Sequence, residues 1–194
     1  MNSELKIGLF GGSFDPVHLG HLLVAQAAKE ELVLHRLFFI PAAQSPFKPD
    51  TKSAAPEMRV QLLRLALAEK PWCEIDEQEL NRGGVSYTID TLRSYRQRFP
   101  NAELFYLIGT DHVAKLNQWR EADELADLAE FVVMPRPGET EVPFPAPFRG
   151  RWLQGYPFEV SSSQIRARVK AGLPVEPLVP SAVAGAIRNN QLYL

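Results

Sequence analysis

The chain has a single cysteine, Cys73, so no disulfide can close within its 194 residues. Nowhere does an apolar run approach the roughly 18 residues that a membrane-crossing helix needs. Positive charge is not in excess either. The 21 Lys and Arg against 23 Asp and Glu leave a formal charge of -2 and a pI near 6.1. That balance removes the basic field on which sequence-independent nucleic-acid binding depends, while a small anionic ligand held in a local pocket stays compatible with it. Internal repeats and low-complexity tracts are absent, and Met1 to Lys6 pass straight into a strand without the apolar region of a signal peptide. These absences describe a soluble cytosolic protein with no membrane and no nucleic-acid partner. The length suits one domain spanning 1–194, with a C-terminal helical part from about 160 to 194. Association into a homo-oligomer is compatible with the composition and not demanded by it.

What is present begins at residues 7 to 21. Ile7, Leu9 and Phe10 form a short apolar run stopped by Gly11 and Gly12, as in a central parallel strand. From Leu19 to Leu34 apolar residues recur at helical spacing (Leu19, Leu22, Leu23, Ala27, Leu32). Strand, glycine turn and helix start together make a phosphate-binding layout, because free N–H groups at the helix start and the missing Cβ atoms of Gly11, Gly12 and Gly20 admit an anion close to the backbone. His18 and His21 are three apart and share a face at that end. Each piece alone has a plain structural reading, as a tight turn, an Asx turn at Asp15-Pro16, or a surface histidine. Two imidazoles beside a glycine turn are harder to explain by packing, since imidazole is a poor core side chain.

Downstream, strands are expected at Leu37–Ile40, Cys73–Asp76, Glu103–Gly109 and Phe131–Met134, with a further short one within 151–159. Helices are expected at Pro56–Glu69, from Ser86 or Thr88 as N-cap to Phe99, at Asp111–Asn117, at Ala122–Leu128, from a serine cap at 161–163 to Gly172, and at Ala182–Asn190. Strands alternating with helices imply an α/β fold, a doubly wound parallel sheet with right-handed crossovers and a small C-terminal helical appendage. Ligands in such sheets bind outside the carboxyl ends of the strands. Lys48 lies in a loop of that kind, where composition alone favours a solvated surface lysine, and so does Arg136 at the start of a proline-rich run, where a phosphate partner is plausible. Asp111, just beyond Gly109, suits a ribose hydroxyl or a helix cap. Trp119 suits stacking on a ligand ring or simple packing. Around Tyr87 and Thr88 a second helix start offers N–H donors to an anion. Arg166, in the first turn of its helix, opposes the helix dipole unless an anion shares the site.

The string Gly11 to His21 resembles the G-x-F-D-P-x-H-x-G-H element of the nucleotidylyltransferase superfamily, whose histidines hold a nucleotide triphosphate. Four further segments, in order, resemble the nicotinate-nucleotide adenylyltransferases: Glu79 to Thr88 (E-L-x-R-x-x-x-S-Y-T), Phe105 to Trp119, Arg136-Pro137-Gly138, and Val160 to Arg166 (I-S-S-T-x-I-R). The resemblance covers nearly the whole chain and ends at Leu192-Tyr193.

The resemblance implies a Rossmann-like enzyme that joins ATP to nicotinate mononucleotide, releasing pyrophosphate and forming deamido-NAD, with Mg2+ carried on the ATP phosphates and no protein metal ligands. It implies catalytic roles for His18, His21 and Arg166. Gly11, Gly12, Ser13, Phe14, Gly20, Gly109, Asp111, Ser162 and Ser163 would join them at ATP, and Lys48, Ser86, Tyr87, Thr88, Trp119 and Arg136 would hold the mononucleotide. Two departures stand out. Ser45-Pro46-Phe47-Lys48 replaces the family's P-P-H-K, removing one imidazole, and Ser163 replaces a threonine while keeping its hydroxyl. Competing readings are another adenylyl or cytidylyl transferase, which leaves Ser86-Tyr87-Thr88 with Trp119 unexplained; a class I aminoacyl-tRNA synthetase core, for which the chain is too short; and a nucleotide-binding sensor without turnover.

Overall fold

The computed structural model describes residues 4–44, 53–135 and 137–194. Lys48 and Arg136 lie outside the described residues. Six strands form one sheet: β1 (Lys6–Gly12), β2 (Arg36–Pro41), β3 (Cys73–Ile75), β4 (Glu103–Gly109), β5 (Glu130–Met134) and β6 (Gly150–Trp152). The order across it is β3-β2-β1-β4-β5-β6, and every neighbouring pair is parallel. The chain builds outward from β1 through β2 to β3, then crosses back to β4 on the other side of β1. That reversal opens a crevice at the carboxyl ends of β1 and β4, where Gly11 and Gly12 end β1.

The strands are apolar on both faces because both are covered. Along β2, Leu37 and Phe39 join one core cluster and Phe38 and Ile40 the other; along β4, Phe105 and Leu107 face one way and Leu104, Tyr106 and Ile108 the opposite way. One face is covered by α1 (Leu19–Glu31), α2 (Pro56–Leu67), α6 (Ser162–Lys170) and α7 (Ser181–Asn189). The other packs against α4 (Thr88–Arg98), a 3-10 helix (Thr110–Gln118) and α5 (Ala122–Leu128). A short helix, α3 (Gln78–Arg82), precedes α4. No helix among the described residues is long and apolar enough to cross a membrane.

Several local features differ from the sequence reading. The first helix stops at Glu31, because Leu32 caps it and Val33 turns to a left-handed φ of 55°. The residue before α4 is Tyr87, which makes no side-chain cap bond; Ser86 is occupied elsewhere, its Oγ accepting the Ala43 N–H at 3.0 Å. Residues 79–82 are helical rather than loop, held by the buried Glu79 carboxylate, which accepts the Thr91 hydroxyl at 2.6 Å. The C-terminal helices and the connection between them sink Ile165, Val175, Val179, Val183 and Ile187 into the same cluster as Phe14 and Val17 of the loop after β1. Each such side chain stabilises by about 1.5–3 kcal/mol on burial, so the C-terminal segment holds that loop in place.

Candidate active site

A cleft of about 790 Å3 opens at the carboxyl ends of β1 and β4. Gly11, Gly12, Ser13, Phe14, His18, Gly20, His21, Gly109, Ser162, Ser163 and Arg166 all line it. Only one residue expected at ATP stays out: Asp111 is exposed in the first turn of the 3-10 helix, where its neighbour His112 reaches the cleft instead. The other group, Ser86, Tyr87, Thr88 and Trp119, gathers outside this cleft around β4 and α4.

The histidines are placed by the backbone and then by each other. His18 is the N-cap of α1. Its Nδ1 accepts the His21 N–H at 3.4 Å, and His21 Nδ1 accepts the His18 N–H at 3.2 Å, a capping box written with two imidazoles. With both Nδ1 atoms acting as acceptors, each neutral ring carries its proton on Nε2. The rings stack at 3.6 Å between centroids. Burial lowers the His18 pKa to about 4; burial and then the neighbouring His18 hold His21 well below the ordinary value. The site therefore presents two neutral Nε2–H donors.

This arrangement corrects the expectation of a row of free N–H groups at the helix start. The Leu19 N–H donates to Leu178 O at 2.9 Å and the His21 N–H turns to His18, which leaves the Gly20 N–H with no acceptor among the described residues. A Cβ at Gly20 would lie 2.9 Å from Val160 Cγ1 and 3.1 Å from the His18 ring, so glycine is needed for the close approach of α1 to the segment before α6.

Beside the start of α1, Ser161 caps α6 by accepting the Gln164 N–H, and the Ser162 hydroxyl donates to Pro16 O at 2.9 Å. Arg166 lies one turn on. Its guanidinium donates to Asp15 O at 2.6 Å and to Ser163 Oγ at 3.3 Å, and it is drawn toward the loop after β1 rather than out to solvent. Beneath that loop, the buried Arg59 donates to Ser13 O and Ala42 O at 2.7 and 2.9 Å, bracing the glycine turn against the exit of β2. Burial lowers its pKa, partly offset by Asp15. Sequence reasoning passed over Arg59, although its phase with Leu62, Leu63 and Ala66 put a cation on the apolar face of α2.

The second group is knitted differently. Ser86 N donates to Gln44 O at 2.9 Å, and the Thr88 hydroxyl donates to Tyr106 Oη at 3.3 Å. A Cβ at Gly11 would stand 2.6 Å from that same Tyr106 oxygen, so this group and the cleft meet across Gly11. Burial raises the pKa of Glu79, which Thr91 and Ser86 hydrogen bonds oppose; burial and then Glu79 push the Tyr106 phenol up. Trp119 meets Tyr106, His112 and Phe131 edge to face, and the Arg120 guanidinium sits 4.9 Å over the Tyr87 ring. Neither Tyr106 nor Arg120 was singled out from sequence, as a strand tyrosine and a surface arginine carry no signal of their own.

The sequence pattern of the cytidylyltransferase-like family matches residues 9–168. A probable nicotinate-nucleotide adenylyltransferase from Opitutus terrae is 42% identical over 192 residues, covering 97% of this chain and 98% of its own. The nicotinate-nucleotide adenylyltransferase of Bacillus subtilis is 39% identical over 189 residues, covering 97% and 98%. This chain belongs to the nicotinate-nucleotide adenylyltransferase family. Among solved structures, the Plasmodium falciparum nicotinic acid mononucleotide adenylyltransferase complexed with NaAD aligns with a TM-score of 0.79 at 17% identity, over 98% of both chains. At that identity the likeness is one of fold. The family's sheet is thus shared far beyond its sequence, and the in-order segments of this chain fall at the carboxyl ends of that sheet.

Proposed function

We propose that this protein transfers the adenylyl group of ATP to nicotinate mononucleotide, forming deamido-NAD and pyrophosphate in the cytosol. The paired Nε2–H donors of His18 and His21, lining the glycine cleft together with Arg166, carry this reading. Close relatives over the full chain bear the name of that activity.

In this reading an oxygen of the mononucleotide phosphate attacks the α-phosphorus of ATP, and the bond from that phosphorus to the bridging oxygen of the β-phosphate breaks. Charge builds on the α-phosphoryl oxygens and on the leaving pyrophosphate. Such a transfer asks the protein for positioning and donors, not for a covalent nucleophile. His18 and His21 supply neutral donors, which cost no proton transfer and gain strength in a site closed to water. Arg166, with Ser162 and Ser163, meets the β and γ groups. The cleft's donor set of N–H, hydroxyl and guanidinium groups fits a magnesium ion carried by the phosphates, which would neutralise part of their charge. Cys73, on the far edge strand with its thiol pushed up to about 12 by burial, has no place in the chemistry.

The mononucleotide falls to the second group. Tyr87 leaves the first N–H groups of α4 uncapped by any side chain, and Arg120 adds positive charge beside them. Donors alone favour a carboxylate over a carboxamide, whose NH2 would face them. Trp119 would stack on the pyridine ring, and Lys48 and Arg136 would neutralise its phosphate. The test is formation of deamido-NAD and pyrophosphate in equal amounts when both substrates and Mg2+ are supplied, and of neither when either substrate is withheld.

A further inference from the structure

Asp15 is 2% exposed and lines the cleft, yet none of the steps above uses its carboxylate. Its Oδ1 accepts two donors, the Tyr193 hydroxyl at 2.7 Å and the Ala54 N–H at 3.2 Å. Its Oδ2 is buried and has no hydrogen-bond partner among the described residues. Arg166 Nη1 stands 4.0 Å from that oxygen, and its hydrogen bond goes to the Asp15 carbonyl instead. A carboxylate and a guanidinium this near, neither far exposed, would be expected to close into a two-bond pair, the strongest contact available to both. Something holds them apart.

The restraint comes from the C-terminal tail. Past the end of α7 the chain reverses, with Gln191 and Tyr193 at positive φ (50° and 67°) and Leu192 N donating to Ile187 O at 3.0 Å. Leu192 and Tyr193 fold back onto the core cluster that contains Phe14 and Val17. The tail thereby delivers one hydroxyl to Oδ1 of Asp15, while Oδ2 is the oxygen that stands 4.0 Å from Arg166. Burial, and then Asp15, raise the Tyr193 pKa, so the phenol stays a donor at neutral pH.

We propose that Tyr193 is a positioning residue for the ATP phosphates, anchoring Asp15 by one carboxylate oxygen so that the Arg166 guanidinium keeps its charge for the nucleotide. The proposal rests on the reading that Arg166 meets the β and γ phosphates. Without the tyrosine hydroxyl, one of two donors on Oδ1 is lost, and the carboxylate turns toward Arg166 and competes with ATP for it. Arg59, close enough to both Asp15 and Tyr193 to feel their charge, directs its Nη1 and Nη2 to Ser13 O and Ala42 O rather than to the carboxylate.

The experiment is steady-state kinetics of Tyr193→Phe, Asp15→Asn, the double variant and Arg166→Ala, with melting temperatures. Tyr193→Phe is expected to raise KM for ATP about tenfold, the size of one lost hydrogen bond to a charged group, while KM for nicotinate mononucleotide stays within about twofold. In the Asp15→Asn background the same tyrosine change is expected to cost less than about twofold, because an amide no longer competes for the guanidinium. An unchanged KM for ATP would overturn the proposal, and so would an equal rise for both substrates with a lower melting temperature, or multiplicative effects of the two changes. If Arg166→Ala leaves KM for ATP unaltered, the reading of Arg166 itself fails; if only the tyrosine variants behave as wild type, that reading stands and this proposal falls.

Discussion

His18 and His21 exchange backbone N–H bonds through their Nδ1 atoms while their rings stack at 3.6 Å, so the pair caps a helix and points two Nε2–H donors into the cleft. The capping and donor roles separate by substitution. His18→Asn keeps a good N-cap but lacks a donor at the Nε2 position. It is expected to melt within a few degrees of wild type and to lose about 10²–10³ in kcat, the cost of one donor aimed at developing charge. Parallel thermal melts and initial rates check this, and a variant of near wild-type rate would remove the histidine from the chemistry.

Acid should destabilise the protein earlier than its carboxylates alone require. The His18 pKa falls from 6.5 unfolded to about 4 folded, so between those values the unfolded chain binds a proton that the native state refuses. The contribution is complete above pH 6.5 and is lost as pH falls toward 4, amounting to about 3 kcal/mol for this residue. His21 acts in the same direction. Urea unfolding at pH 7, 5.5 and 4.5 is expected to show a steeper decline for wild type than for His18→Asn; parallel declines would contradict the neutral, buried imidazole.

Gly20→Ala offers a change without loss of any functional group. Alanine favours a helix by up to about 1 kcal/mol, but the added Cβ meets Val160 and the His18 ring at 2.9 and 3.1 Å. Stability should therefore change little while kcat falls severalfold, because the added Cβ pushes the imidazole off its geometry by a few tenths of an ångström. Initial rates and a melt decide it; full activity would show that the close approach is dispensable.

Trp119→Ala is expected to raise KM for nicotinate mononucleotide about tenfold and KM for ATP less than about twofold, as the loss of a ring platform predicts. Trp119 also packs on Tyr106 and Phe131, so Trp119→Phe should recover much of the loss. Equal effects on both substrates would assign it to packing alone.

Strand and helix positions were legible because they follow from apolar period and punctuation: β1 stopped by Gly11 and Gly12, and α6 opened by its serine cap. The cleft around His18, His21 and Arg166 was legible because it sits in contiguous motifs. What escaped was set by distant contacts. Ser86 looks like a helix cap in sequence, and only the approach of Ala43, 43 residues away, shows where its oxygen goes. The helical form of 79–82 depends on a carboxylate buried under α4, which local propensity cannot see. Tyr193 and Asp15 are 178 residues apart, a pairing no local pattern encodes.

The central claim is adenylyl transfer to a carboxylate-bearing mononucleotide, and one assay tests it most directly. Pyrophosphate release from ATP and Mg2+ would be measured with nicotinate mononucleotide and nicotinamide mononucleotide in parallel, with His18→Ala as the blank. The account predicts rapid release with the acid, at least about a hundredfold slower release with the amide, which would set its NH2 against the donors of α4, and almost none with the variant. Equal rates with acid and amide would contradict the donor-only pocket, and release with neither would contradict the reaction itself.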